Sequence, residues 1–260
     1  METYYDQHLH THHSFDSEEK IENYLKVTSK QLVTTEHLDF HNPYDNFIDN
    51  IPDFVLYETE LKKREQEFNR SILRGIEIGY VPEHDERIND FLADNPYDLL
   101  LLSTHQNDEI DFMDPIVRTF EKKRLIHEYY EQMIISVEKM PHTNVLTHFD
   151  YGMRQIDITV DEFQKIAEPL LIQLFKQVIA ADLAFELNAK SFVKYGNKHL
   201  YEYAVPLYIS LGGTLFTLGS DAHVAEDYEL GFAEMKTLLR TNGVSELAIF
   251  KEQKRKQVKF

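Results

Sequence analysis

The sequence predicts an α/β protein, a closed or nearly closed β/α barrel built from seven strand-helix units. Three observations carry this expectation. Short β-type runs alternate with longer charged segments of helical spacing along all 260 residues, the pattern of parallel strands joined by crossover helices. No Gly/Ser-rich or Pro-rich linker and no repeat of solenoid period interrupts the alternation, so one domain over residues 1–260 is expected. Residues able to bind a metal recur where the β-type runs stop, and in a barrel those ends meet at one mouth. Periodicity does not give strand order, and an open doubly wound sheet fits the same alternation.

In chain order the runs are YDQHLHT, LVTTEH, SILRGIEIGY, DLLLLSTH, NVLTHFD, LAFELNAKS and TLFTLGSDAH. Helical spacing follows over residues 18–30, 54–69, 83–93, 115–139, 161–180, 198–211 and 232–241. Pro82, Pro115 and Pro206 suit helix starts or early turns, while Asn95-Pro96 and Gly212-Gly213 break the chain just before strands. The closing KEQKRKQVKF reads as a solvated helix end or a last strand.

The formal charge of −18 argues against an extended nucleic-acid surface, because phosphate backbones are held by clustered Lys and Arg. No apolar run approaches the roughly 20 residues that span a bilayer, and METYYDQHLHTHH has neither the basic start nor the apolar stretch of a signal peptide. A cytoplasmic protein with no membrane or nucleic-acid partner is expected. The absence of cysteine removes disulfides and thiolates, so any metal is held by His, Asp and Glu.

The ligand-type residues fall in register with the predicted strands. His8 and His10 are two apart, which on an extended chain turns both imidazoles to one face. The second run ends at Glu36-His37, the third carries Glu77, the fourth ends at His105, the fifth at His148 and Asp150, and the last at Asp221 and His223; Asp16 follows the first run in a loop. A histidine by itself is ordinarily a core or surface residue, and a His-x-His pair arises readily among 13 histidines. Repetition at successive strand ends is what points to a metal site. His12 and His13 are read as orienting ligands or substrate, His41 and Asp150 as supporting or substrate contacts, and His84, His127, His142 and His199 as solvated.

The motifs Asp6-x-His8-x-His10-Thr11 with Ser14-x-Asp16, Thr35 to His37, Gly75 to Glu77, Ser103 to His105, Thr147 to Asp150 and Gly219 to His223 resemble, in this order, those of the polymerase-and-histidinol-phosphatase (PHP) family. Length and motif style are most similar to its monofunctional histidinol-phosphatase type. The resemblance implies a distorted seven-stranded TIM-like barrel and a metal-dependent phosphomonoesterase that hydrolyses L-histidinol phosphate in histidine biosynthesis. It also implies three divalent metals, Zn, Mn or Fe. One would be held by His8, His10, Glu77 and Asp221; a second by the bridging Glu77 with His105 and His148; a third by Asp16, His37 and His223. Some relatives carry His where this chain has Asp16, which leaves the third metal's identity open.

Three divalent ions would outweigh the carboxylates around them and leave an acidic protein with a locally cationic pocket for a small phosphorylated substrate. Catalytic roles are expected for Glu77, Asp221 and Asp150, the last as one candidate to protonate the leaving alkoxide beside a nearby histidine. Arg154, with its planar fork, is the candidate for phosphate recognition, with Lys194 or Lys190 assisting and His41 contacting substrate. A phosphotyrosine or nucleotide phosphatase, a diesterase and a non-catalytic metal-binding module are the competing readings.

Overall fold

In the computed structural model, which describes residues 3–260, the alternation becomes a barrel. Strands β1 (Leu32–Asn42), β2 (Ile48–Asn50), β3 (Ile72–Gly79), β4 (Leu99–Ser103), β5 (Val145–Leu146), β6 (Ala184–Asn188) and β7 (Phe216–Gly219) form one sheet in the order β2-β1-β3-β4-β5-β6-β7. From β1 to β7 the neighbours are parallel; β2 folds back antiparallel on the end of β1. Sequential strands lie side by side with no reversal of order, as in a barrel and unlike a doubly wound sheet.

The first β-type run does not form a regular strand, although it occupies a strand's place. Gln7 N–H and His10 N–H donate to the carbonyls of Leu218 and Ala222, and Asp221 N–H donates to that of His8. On its other side Thr35 N–H donates to the Leu9 carbonyl, but the Leu9 N–H is taken by the Thr35 hydroxyl instead of a backbone carbonyl. That side-chain substitution breaks the ladder. The segment is thus the seventh stave, closing the ring between β7 and β1.

Helices α1 (Ile21–Val27), α2 (Phe54–Phe68), α3 (Asp85–Asp94), α4 (Lys122–Lys139), α5 (Val160–Ala180), α6 (Lys198–Ser210) and α7 (Phe232–Thr241) follow the strands. Asp53 caps α2 by accepting from Val55 and Leu56 N–H, and Thr159 with Glu162 forms a reciprocal capping box on α5. The helix expected over 115–139 is split: Asp114 starts a 3₁₀ turn at Pro115–Thr119, and extended Phe120 separates it from α4. Pro206 lies inside α6 and not at its start. Leucine, isoleucine and aromatic side chains of the strands and helices form one continuous core between the two layers.

The basic tail is a strand. β8 (Glu246–Lys251) and β9 (Lys254–Lys259) form a hairpin whose Ala248, Ile249, Phe250 and Val258 pack with Tyr5, Val33, Leu73, Leu99, Val145 and Ala184, near the N-terminal ends of the barrel strands. Gln7 locks it by donating to the Ala248 carbonyl and accepting from Phe250 N–H. This plug leaves the opposite, C-terminal end of the strands for chemistry. Among the described residues no helix is long and apolar enough to cross a membrane.

Candidate metal centre

Glu77 sits at the hub. Parallel register places His37 of β1 beside Glu77 of β3 and Asp39 beside Gly79. Around the buried Glu77 carboxylate, Oε2 lies 3.1 Å from His8 Nε2, 3.3 Å from His10 Nε2 and 3.3 Å from His37 Nδ1. Oε1 lies 3.1 Å from His105 Nε2 and 2.7 Å from His148 Nε2. Five imidazoles from four staves therefore meet one carboxylate, which Ser103 further holds by donating to Oε1.

Two further carboxylates stand behind these rings. Asp39 lies 2.8 Å from His105 Nδ1 and 3.2 Å from His37 Nδ1; Glu186 lies 2.8 Å from His8 Nδ1 and accepts from His148 N–H. Such partners fix which nitrogen of an imidazole faces a metal and in what orientation. Each occupies space left by a glycine: a Cβ on Gly79 would fall 1.8 Å from Asp39 Oδ1, and one on Gly219 would fall 2.2 Å from Glu186 Oε1. Glu36 anchors the approach loop, accepting from Thr11 N–H, Thr11 Oγ1 and Ser14 Oγ.

The remaining ligand-type residues form the rim. Asp16 reaches His223 Nε2 at 2.9 Å and His37 Nε2 at 3.6 Å. Asp221 lies 3.6 Å from both His10 Nε2 and His223 Nδ1, and its backbone adopts φ of 54°, a left-handed conformation that aspartate tolerates better than most side chains. Arg154 Nη2 and Lys190 Nζ donate to Asp221 at 3.1 and 3.2 Å. Asp6, pushed up to about 7 by burial, accepts from Ser220 and Glu229 N–H and so ties down the loop that carries Asp221.

The charge state of the cluster suits ligation. Burial alone would raise Glu77, but His8, His37 and His105 outweigh it and hold the carboxyl well below its ordinary value. Burial likewise opposes ionisation of Asp221, and Lys190, His8 and Arg154 overcome it. His10 and His148 are lowered, chiefly by burial, and so stay neutral. His8 Nε2, His10 Nε2, His37 Nδ1 and His148 Nδ1 are buried without a hydrogen-bond partner. Buried polar atoms are rarely left so, and four such imidazole nitrogens in one cluster suit the ligation of a cation. Triads such as His8, His10 and Glu77, or His37, Glu77 and His105, or His10, His37 and His223 bring one ligand atom each within 4.8 Å of one another.

All nine expected ligands, His8, His10, Asp16, His37, Glu77, His105, His148, Asp221 and His223, meet in this cluster. Arg154 lines the same cavity, with Nε donating to Ser191 and Nη2 to Asn188 and Asp221. The structure does not bring Asp150, His41 or Lys194 to it. Asp150 is buried behind the wall, accepting from Tyr201 and Asn197 and thereby joining the β5 exit loop to α6. His41, at φ of 50°, turns outward to Asp108, which His84 also contacts, so His84 is not simply solvated. Lys194 pairs with Asp227 on the surface, because Lys190–Lys194 is a π-helical turn that aims Lys190 inward and Lys194 out. His12 and His13 both meet Glu60 on α2.

Sequence reasoning missed Asp39, Glu186, Asp111 and Tyr151. An ionisable residue inside an otherwise apolar strand, as in AFELN, is the signal that could have found Glu186. Tyr151 packs against His105 and His148, and its hydroxyl donates to Asp111, whose carboxyl burial pushes up to about 6.

Comparison with known proteins agrees with this geometry. A histidinol-phosphatase of Lactococcus lactis is 28% identical over 259 residues, covering 96% of this chain and 95% of that protein. A probable histidinol-phosphatase of Thermotoga maritima is 25% identical over 94% of each chain. The crystal structure of histidinol phosphate phosphatase from L. lactis, complexed with Zn, L-histidinol and phosphate, superposes with a TM-score of 0.86 at 25% identity, over 96% of this chain and 98% of that one. Residues 6–190 match the PHP domain, and with the barrel and its histidine-carboxylate cluster in place, the chain belongs to the PHP family.

Proposed function

We propose that this protein is a metal-dependent phosphomonoesterase that hydrolyses L-histidinol phosphate to L-histidinol and phosphate in histidine biosynthesis, as one catalytic domain spanning residues 1–260. The observation that carries the reading is the set of buried imidazole nitrogens without hydrogen-bond geometry, His8 Nε2, His10 Nε2 and His37 Nδ1, around a shared, ionised Glu77. The likeness to histidinol-phosphatases along nearly the whole chain supports the substrate.

His8, His10, Glu77 and Asp221 would hold one divalent ion, Glu77 with His105 and His148 a second, and Asp16, His37 and His223 a third. The nitrogen-rich donor set fits Zn, Mn or Fe better than Mg or Ca. When bound, such ions supply an acidified water as nucleophile and neutralise charge on the phosphoryl oxygens. The protein's own residues do the rest. Glu77 would be shared by two of the ions, and its carboxylate faces five imidazoles. Lys190 and Arg154, both at the cavity wall, bind phosphoryl oxygens; Arg154 has Nε and Nη2 committed to Ser191, Asn188 and Asp221, which fixes the plane of its guanidinium. Asp150 positions the Arg154 loop from behind and does not exchange protons with substrate.

The test is a metal analysis of the purified protein together with turnover of L-histidinol phosphate, phosphotyrosine, nucleotides and a diester. Stoichiometric metal and a clear preference for L-histidinol phosphate are expected. Metal without ester cleavage, or a preference for the diester, would overturn the assignment.

A further inference from the structure

Helix α2 meets the loop after the first stave in a second grouping of metal-binding side chains. Glu60 Oε2 lies 3.0 Å from His12 Nε2 and 3.2 Å from His13 Nε2, and the two imidazole centroids are 4.4 Å apart. These separations are close to the edge of a tetrahedron, roughly 3.3 Å, whose bonds to a central ion are about 2.0 Å long. All three ligand atoms fall within 4.8 Å of one another. None of the three residues lines the cavity, and none is among the nine ligands gathered around Glu77.

Each of the three side chains is oriented from behind. His12 Nδ1 lies 3.3 Å from the Glu19 carbonyl oxygen, which can only accept, so the ring proton belongs on Nδ1 and the Nε2 lone pair is turned to Glu60. A carbonyl on the far nitrogen is the usual way in which a metal-ligating imidazole is held. The His13 ring packs edge-on against Tyr57 at 5.4 Å, and Arg64 occupies Glu60 Oε1 at 3.1 Å, which leaves Oε2 for the two histidines. Tyr57, Glu60 and Arg64 are spaced three and four apart on α2 and therefore share one face. The backbone is pinned as well: His12 N–H donates to the Glu19 carbonyl and His13 N–H to the Thr11 hydroxyl. A surface ion pair needs one histidine; here two converge on a single oxygen whose partner oxygen is already satisfied. His12 is the most open of the three at 34% exposed, so water reaches the remaining position.

We propose that His12, His13 and Glu60 form a separate binding site for zinc, or a similar nitrogen-preferring divalent ion, with water as the fourth ligand. Two imidazoles and one carboxylate suit such ions better than Mg or Ca. Bound there, the ion staples the loop that carries Asp16 to α2. The site is weaker than the Glu77 cluster, because it is open to water and the Arg64 guanidinium draws on its one carboxylate. It does not depend on which ester the protein cleaves.

The experiment soaks crystals of the metal-loaded protein in zinc and records anomalous scattering at the zinc edge, beside equilibrium dialysis at micromolar free zinc, for wild type, Glu60→Ala and His13→Phe. Alanine suits the helix, and phenylalanine keeps an aromatic ring against Tyr57. Wild type should show a peak about 2.0–2.2 Å from His12 Nε2, His13 Nε2 and a Glu60 oxygen, and should bind one zinc more than either variant. Each variant should weaken this site by at least about 10–100-fold, the range for losing only an orienting partner. Peaks around Glu77 should be common to all three proteins, which separates loss of this ion from damage to the cluster. The absence of a peak at Glu60 would overturn the proposal. So would a peak without the extra equivalent in dialysis, which marks binding at crystal concentration only. Equal zinc content in wild type and Glu60→Ala would show that the three side chains make no more than an ion pair. Missing peaks at Glu77 beside a peak at Glu60 would sink the proposed function and leave this site standing. Should a variant fold poorly, the wild-type map and dialysis isotherm decide the matter, because both must show the weaker zinc.

Discussion

Asp39 and Gly79 face each other across the β1–β3 ladder, and the Asp39 carboxylate fills the space in which a side chain at position 79 would stand. The bond from Asp39 to His105 thus depends on the absence of a methyl group. Gly79→Ala should push Asp39 away from His105 and weaken metal binding by about 10–100-fold, the usual consequence of losing a ligand's orienting partner. Competition with a metal chelator measures this. Asp39→Asn should behave alike, and unchanged affinity in both would show that His105 needs no such support.

Glu77→Gln leaves the shape of the hub but removes the charge shared by the imidazoles. Turnover should fall by at least about 100-fold, since even residues one step removed from a metal cost that much. Metal content should fall in parallel. Retained metal with full activity would remove Glu77 from the bridging role.

Chelation should abolish activity and lower the melting temperature. Metal that binds only the folded chain stabilises it by about 3–4 kcal/mol at 100–1,000 times its dissociation constant. Adding back Zn, Mn or Fe in turn should restore both signals to differing degrees and identify the preferred ion. A melting temperature indifferent to chelator would mean that the cluster is satisfied by protons alone.

Asp111 gives a stability prediction opposite in sign to that of most polar core residues. Burial raises its carboxyl from 3.8 to about 6. Below about pH 4 the group is protonated in both folded and unfolded chains; between about 4 and 6 the folded chain keeps a proton that the unfolded chain releases, so stability falls as pH rises; above 6 the full cost, roughly 3 kcal/mol at most, is in force. In the metal-free protein Asp111→Asn should therefore be more stable than wild type at pH 8, with the gap closing near pH 4. Denaturant titration at the two pH values checks the sign.

Phe250 of the terminal hairpin is buried in the plug at the barrel floor. Phe250→Ala should cost about 3–5 kcal/mol, as large aromatic truncations in cores do. At a temperature where the variant is folded, its metal stoichiometry should match wild type, because the plug lies away from the metal end.

The barrel was legible because alternation of strand and helix is written in hydrophobic spacing, and the nine ligand-type residues were legible because they stand where apolar runs stop. Asp39 and Glu186 were hidden for the complementary reason: they lie inside strands, one or two residues from more conspicuous neighbours, and only the three-dimensional approach of Gly79 and Gly219 gives them room. Asp150 misled because it follows His148 so closely, yet the 3₁₀ turn at Tyr151–Met153 sends its carboxylate to Tyr201 and Asn197. The hairpin strand β9 was obscured by lysines and arginines along its exposed face, with Val258 its one deeply buried side chain.

The stave that carries His8 and His10 has neighbours far apart in sequence: Thr35 on one side, Leu218 to Ala222 on the other, with Phe250 clasping Gln7 below. On the ribosome these first residues emerge long before the segments that fix them. Completion of the ring, and with it a site able to capture metal, must wait until β7 has been made, when these contacts of long sequence separation can close. The residues of this stave are thus among the last of the barrel to settle, and a nascent chain stalled short of β7 would carry most of its ligands but no place to assemble them.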